Sequence, residues 1–150
     1  MTSELWSKEN VQEADLCEVA NDIVAQLNAA APYIVWLDGP MGAGKTTLTR
    51  ALLRALGLPE AEPVTSPTYT LMNEYRIGGQ WYAHLDLYRA GPSFSLMELG
   101  VLDARPFRGI FVEWAQAPHA DEQLECTHRL SIEVTSPTTR TFRLSTIAGV

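Results

Sequence analysis

The stretch Gly39-Pro-Met-Gly-Ala-Gly-Lys-Thr46 fits the pattern G-x-x-x-x-G-K-[ST] at every required position. Before it, Tyr33-Ile-Val-Trp-Leu37 is a short, almost wholly apolar run that predicts a strand buried on both faces. After it, Leu48, Leu52, Leu53 and Leu56 recur at helical spacing over Thr46 to Leu56, and Gly57 with Pro59 supplies the stop. Strand, glycine loop and helix in that order are the setting in which this motif cradles nucleotide phosphates. Glycines let successive backbone N–H groups converge on phosphate oxygens, and the helix starting near Lys45 directs its positive end at them. Gly42 and Gly44, with Ala43 between them, form the expected cradle. Lys45 is expected to reach the β- and γ-phosphates, and the Thr46 hydroxyl to complete a Mg²⁺ shell. Thr47 is a further candidate, for the α-phosphate.

Working outward, Leu16, Val19, Ala20, Ile23, Val24 and Leu27 recur at intervals of three and four, which predicts an amphipathic helix from Asn10 to about Ala30. Asn10 and Glu13 resemble a capping box at its start. Thr68 to Tyr75 and Trp81 to Tyr88, around Arg76-Ile-Gly-Gly-Gln80, suit an antiparallel hairpin. Pro92 to Leu99 reads as a short helix closed by Gly100. Gly109-Ile-Phe-Val-Glu-Trp114 has the pattern of a central parallel strand ending in an acid. Leu130 to Val134 and Arg140 to Leu144 form a closing hairpin. The expected architecture is one P-loop α/β domain over residues 1–150, three-layered, with a mixed, mainly parallel sheet and antiparallel hairpins.

The 150 residues carry 11 Lys plus Arg against 18 Asp plus Glu, a formal charge of −7. With 46% hydrophobic residues the chain lies far from the composition of disorder. Its acidity argues against gripping a nucleic-acid backbone directly, because that affinity comes from Lys and Arg neutralising phosphates. The apolar runs fall well short of the roughly 18 residues a membrane helix requires, and the first residues lack the pattern of a secretory signal. No membrane association and a cytoplasmic location are therefore expected. Cys17 and Cys126 match no metal-ligand spacing and read as reduced thiols.

A guanine-specific GTPase would carry N-K-x-D and D-x-x-G, and neither occurs; Asp86-Leu-Tyr-Arg89 and Asp103-Ala-Arg-Pro106 both lack the glycine. ATP is favoured. A small-molecule kinase remains an alternative, with Arg105 and Arg108 as its thin candidate lid, and so does a nucleotide-gated binding module without turnover. Glu113 closes a buried strand, which delivers it to the crevice at the carboxyl ends of the sheet, against the alternative of an acid on the solvated side of a half-exposed hairpin. Strand alternation puts Tyr82, His84, Asp86 and Tyr88 on one face, so Asp86 belongs either to the nucleotide or to a solvated hairpin surface. Each acid is a candidate for Mg²⁺ or water. In Ser66-Pro-Thr-Tyr-Thr70, Thr68 is the candidate γ-phosphate sensor, against a proline-initiated turn entering a strand. His84 reads as a hydrogen-bonding structural residue and Trp114 as packing.

Taken together, Gly42-Ala-Gly-Lys-Thr-Thr47, Ser66-Pro-Thr-Tyr-Thr-Leu71, His84-Leu-Asp-Leu-Tyr-Arg89, Glu98-Leu-Gly100 and Val112-Glu-Trp114 resemble the bacterial TsaE (YjeE) family of tRNA threonylcarbamoyladenosine biosynthesis. The resemblance covers nearly the whole chain. It implies a small P-loop α/β domain and a weak ATPase that acts with the TsaB and TsaD proteins, tRNA being met only through that complex. It also implies that Lys45 binds phosphates, that Thr46 and Glu113 ligate Mg²⁺, that Asp86 assists hydrolysis and that Thr68 lies in a switch-like segment. Pro40-Met41 and Ala115-Gln116 depart from the usual Asp-Leu and Pro-Glu of that family; neither departure removes an expected ligand.

Overall fold

In the computed structural model the described residues are 2–67, 69–90, 106–114 and 125–147. Seven strands form one sheet: β1 (Thr2–Gln12), β2 (Tyr33–Asp38), β3 (Met72–Ile77), β4 (Gln80–Asp86), β5 (Phe107–Glu113), β6 (His128–Ser136) and β7 (Thr139–Ile147). Two α-helices are described, α1 (Leu16–Asn28) and α2 (Lys45–Leu56). The strand order is β1-β7-β6-β2-β5-β4-β3. The centre is parallel, β2 pairing with β5 and β6, and β5 with β4. Antiparallel strands close both flanks: β3 on β4, and β7 then β1 on β6.

Both helices lie on one face of the sheet. Val19, Ala20, Ile23 and Leu27 of α1 and Leu48, Leu52 and Leu53 of α2 share a core with Tyr33, Val35, Leu37, Phe111, Leu130 and Leu144. The opposite face carries a second cluster of Ala83, Leu85, Leu87, Ile110 and Val112, with Ile34 and Trp36 half-buried against it. Strand β2 is therefore fully buried on its helix side and half-buried on the other. The expected helix over Pro92 to Leu99 lies outside the described residues.

The expected helix start at Asn10 is corrected. Residues Thr2–Gln12 form the edge strand β1, a 3-10 turn covers Glu13–Asp15, and α1 begins at Leu16. Asn10 sits at a register shift of β1 with a left-handed φ of 54°, and its N–H donates to Thr141 Oγ1 at 3.1 Å. Mostly exposed side chains leave this strand no hydrophobic alternation to read; its pairing with β7 satisfies backbone groups that the edge of β7 would otherwise present.

The other elements stand close to expectation. Helix α2 ends at Gly57, whose φ of 117° lets its N–H reach Arg54 O while the N–H of Leu58 reaches Leu53 O, both at 3.0 Å. The β3–β4 hairpin is displaced from its expected bounds, because Gly78 and Gly79, with φ of 57° and 78°, place a two-residue primed turn between Ile77 and Gln80. The β6–β7 hairpin runs longer than expected at both ends.

Candidate functional site

The loop between β2 and α2 starts at the carboxyl end of the central strand. Gly42 and Gly44 take φ of 80° and 102°, values a side chain would strain, so the loop's turn demands glycine at both. A Cβ on Gly39 would lie 3.0 Å from Ile132 O and 3.2 Å from Ala43 Cβ, which explains the first glycine by close packing. Arg140 of β7 holds the loop from the other side: its Nε–H donates to Ala43 O at 3.0 Å, and its Nη1 to Ser136 O and Thr139 O. Thr49 ties its hydroxyl to Lys45 O at 2.9 Å inside the first turn of α2.

Parallel register brings the acids to this loop. Leu37 is level with Glu113, and Glu113 with Asp86, so the carboxyl ends of β2, β5 and β4 lie side by side. Glu113 and Asp86 are only 2% and 5% exposed, and Asp86 is therefore no solvated hairpin acid. The Thr46 hydroxyl donates to the Glu113 carboxylate, at 2.9 Å from Oε2 and 3.2 Å from Oε1. His84, fully buried, places Nε2 2.5 Å from the same Oε2. The Asp86 Oδ1 accepts the N–H of Tyr88 at 3.0 Å.

Lys45 is buried beside this cluster. Its Nζ donates to Gly39 O at 2.7 Å and lies 3.5 Å from the centroid of the Trp114 ring. Burial pushes its ammonium below the usual lysine range, while the charges of Glu113, Asp86 and Asp38 pull the other way. Trp114 follows β5 in a left-handed conformation, φ 61°, and its ring lies 5.0 Å from that of Tyr88, tilted by 52°. Trp114 thus supplies more than packing: its ring face receives the loop lysine. Asp38, at the end of β2, is raised by burial against the opposing effect of Arg129, whose Nη1 is 3.3 Å from Oδ2.

A cleft of about 630 Å³ opens on the other side of the loop. Gly42, Ala43, Gly44 and Thr47 form one wall; Val11 and Gln12 of β1 and Pro137, Thr138 and Phe142 of the closing hairpin complete it. None of these last residues carried a motif. Thr68 lies outside the described residues. Among the described residues no three His, Cys, Asp or Glu side chains cluster as a metal cage, and no helix is long and apolar enough to cross a membrane.

Known proteins resemble this sequence. Residues 10–143 match the family model of threonylcarbamoyl adenosine biosynthesis protein TsaE. The protein of that name from Haemophilus influenzae is 40% identical over 96 residues, 63% of this chain and 60% of that protein. The Aquifex aeolicus protein is 33% identical over 88% of this chain and 90% of its own length, and the Bacillus subtilis protein 34% identical over 74% and 68%. The crystal structure of YdiB from Bacillus subtilis superposes with a TM-score of 0.70 at 24% identity, covering 99% of this chain and 88% of that one, so the two share a fold. With nine-tenths of its length inside the family model and relatives matched along most of theirs, the chain belongs to the TsaE family.

Proposed function

We propose that this chain is a Mg²⁺-dependent ATPase of low intrinsic turnover that serves, in the cytoplasm, the assembly installing threonylcarbamoyl on the adenosine next to the anticodon in tRNA. One observation carries the reading: the buried side chains of Lys45, Glu113 and Asp86 and the half-buried Thr46 lie together beside a glycine loop, at the carboxyl ends of parallel strands.

The donor set suits the cation. A hydroxyl and a carboxylate are hard oxygen ligands, and Mg²⁺ beside nucleotide phosphates takes only one or two protein ligands and keeps several waters. Thr46 and Glu113 would hold it, and its chemistry there is to neutralise charge on the β- and γ-phosphates. The N–H groups of residues 42–47 would cradle the phosphates. Lys45, now resting on Gly39 O and Trp114, would exchange those partners for phosphate oxygens. Asp86 would orient the attacking water. The cleft beside Gly44 and Thr47 offers room for the nucleoside, with β1 and the β6–β7 turn as its walls.

Hydrolysis here would drive or reset the complex with TsaB and TsaD, the transfer itself belonging to TsaD. A chain of charge −7 suits that division, since it need not hold tRNA. The test is ATP hydrolysis with Mg²⁺, by the protein alone and then with TsaB, TsaD and tRNA, with Lys45→Ala as control. Stimulation by the partners that the substitution abolishes is expected. ATP bound without turnover under every condition would leave a nucleotide-gated module, and phosphate passed to a small acceptor would make the chain a kinase.

A further inference from the structure

Glu113 has two carboxylate oxygens, and Thr46 has one O–H to give them. The register neighbour of Glu113 is Asp86, itself buried, and two adjacent carboxylates repel most strongly where water is excluded. A second donor is needed to keep Glu113 turned toward the loop. His84 provides it. The ring projects from β4 on the same face as Asp86, and its Nε2 lies 2.5 Å from Glu113 Oε2. An anionic acceptor at that distance requires the proton on Nε2. The other nitrogen, Nδ1, is buried and has no hydrogen-bond partner among the described residues. Buried polar atoms are seldom left unpaired, and a side chain of pure packing would carry none, so this histidine is explained by its Nε2 contact.

We propose that His84 is a positioning residue: through its Nε2–H it fixes the Glu113 carboxylate against the Thr46 hydroxyl, so that both oxygen ligands face the site of the divalent cation. The inference rests on the nucleotide and Mg²⁺ reading above. Residues that orient a metal ligand in this way typically change metal affinity 10–100-fold when removed.

The experiment measures ADP affinity with and without Mg²⁺ by titration calorimetry, which needs no turnover. His84→Gln and His84→Asn are both polar, but only the longer amide reaches Glu113. The Mg²⁺-dependent gain in ADP affinity should fall by about tenfold or more in His84→Asn and stay within about twofold of normal in His84→Gln, with Mg²⁺-free affinity preserved in both. A full Mg²⁺ gain in His84→Asn overturns the proposal, and so does equal weakening with and without Mg²⁺. Should the variants not fold, ¹⁵N–¹H correlation spectra of the unaltered protein decide: the Nε2–H tautomer of His84 is expected, and an Nδ1–H tautomer overturns the assignment. Absence of any ADP or ATP binding by the unaltered protein would sink the nucleotide reading, whereas the tautomer would still report the His84–Glu113 contact.

Discussion

The glycine loop divides two regions of opposite physical character. On one side Lys45, His84, Asp86 and Glu113 are all at most 6% exposed, and three of them come from the ends of central parallel strands or the helix that follows one. On the other side the 630 Å³ cleft is walled by the edge strand β1 and the antiparallel β6–β7 turn. Charges that perform chemistry gain from exclusion of water, because electrostatic interactions strengthen there. The nucleoside pocket proposed for the cleft would need area and access instead, which a sheet edge and a hairpin tip supply. The two halves should then fail in different ways.

Lys45 is the cation of the buried half, expected to meet the phosphates, so its loss should cost most. Lys45→Ala is expected to weaken ATP binding about 100-fold, the loss of strong charge-assisted hydrogen bonds to phosphate, and to take turnover with it. Equilibrium binding of ATP with Mg²⁺ measures this, and an unchanged affinity would detach the loop from the phosphates. Glu113→Ala should separate the halves: turnover falling on the order of 100-fold, Mg²⁺-free ADP affinity within about twofold. Paired kinetic and calorimetric measurements would show whether the buried side acts on chemistry alone.

A blow to the open side should give the converse. Thr138, exposed at the hairpin tip and lining the cleft, can be replaced by tryptophan with little effect on the core. Thr138→Trp is expected to raise KM for ATP about tenfold at unchanged kcat, the signature of lost uniform binding. A fall in kcat instead would join the cleft to the chemistry. The smallest effect concerns stability away from both. His128, 2% exposed, is held below the usual histidine range by burial, so the unfolded chain binds the proton more readily than the folded one. Stability should be fully present above the ordinary histidine pKa near 6.5 and decline as pH falls through it. Urea midpoints at pH 7.5 and 5.5 should differ less in His128→Asn than in the unaltered protein.

How legible each half was follows from its chemistry. Residues 39–46 carry a pattern whose meaning is local: left-handed glycines, a helix start and a strand end need no distant partner to be recognised. Glu113 is legible in the same way, as an acid closing an apolar run. The sequence marks His84 only as a hydrogen-bonding residue, because its partner is 29 positions away and only the β4–β5 register brings them together. Nothing in the local sequence marks Val11, Gln12 or Thr138. Their role depends on β1 returning to pair with β7, a contact spanning almost the whole chain, and on side chains with no periodicity of their own. The helix expected from Asn10 failed for that reason too: local capping signals lost to edge pairing with a strand more than 120 residues away.

The glycine loop, the strand and helix that hold it, the buried strand that brings Glu113 and the family to which the chain belongs are all written in local sequence. These depend on side-chain types at short, regular spacings, and short-range sterics and hydrophobic period act on them directly. Only the tertiary structure decided that Asp86 is buried beside Glu113, that His84 faces its carboxylate, that Lys45 rests on Trp114 and that the first and last strands close a cleft beside the loop. Each of these joins residues whose separation in sequence has no fixed relation to distance in space, and strand order and register alone set that distance.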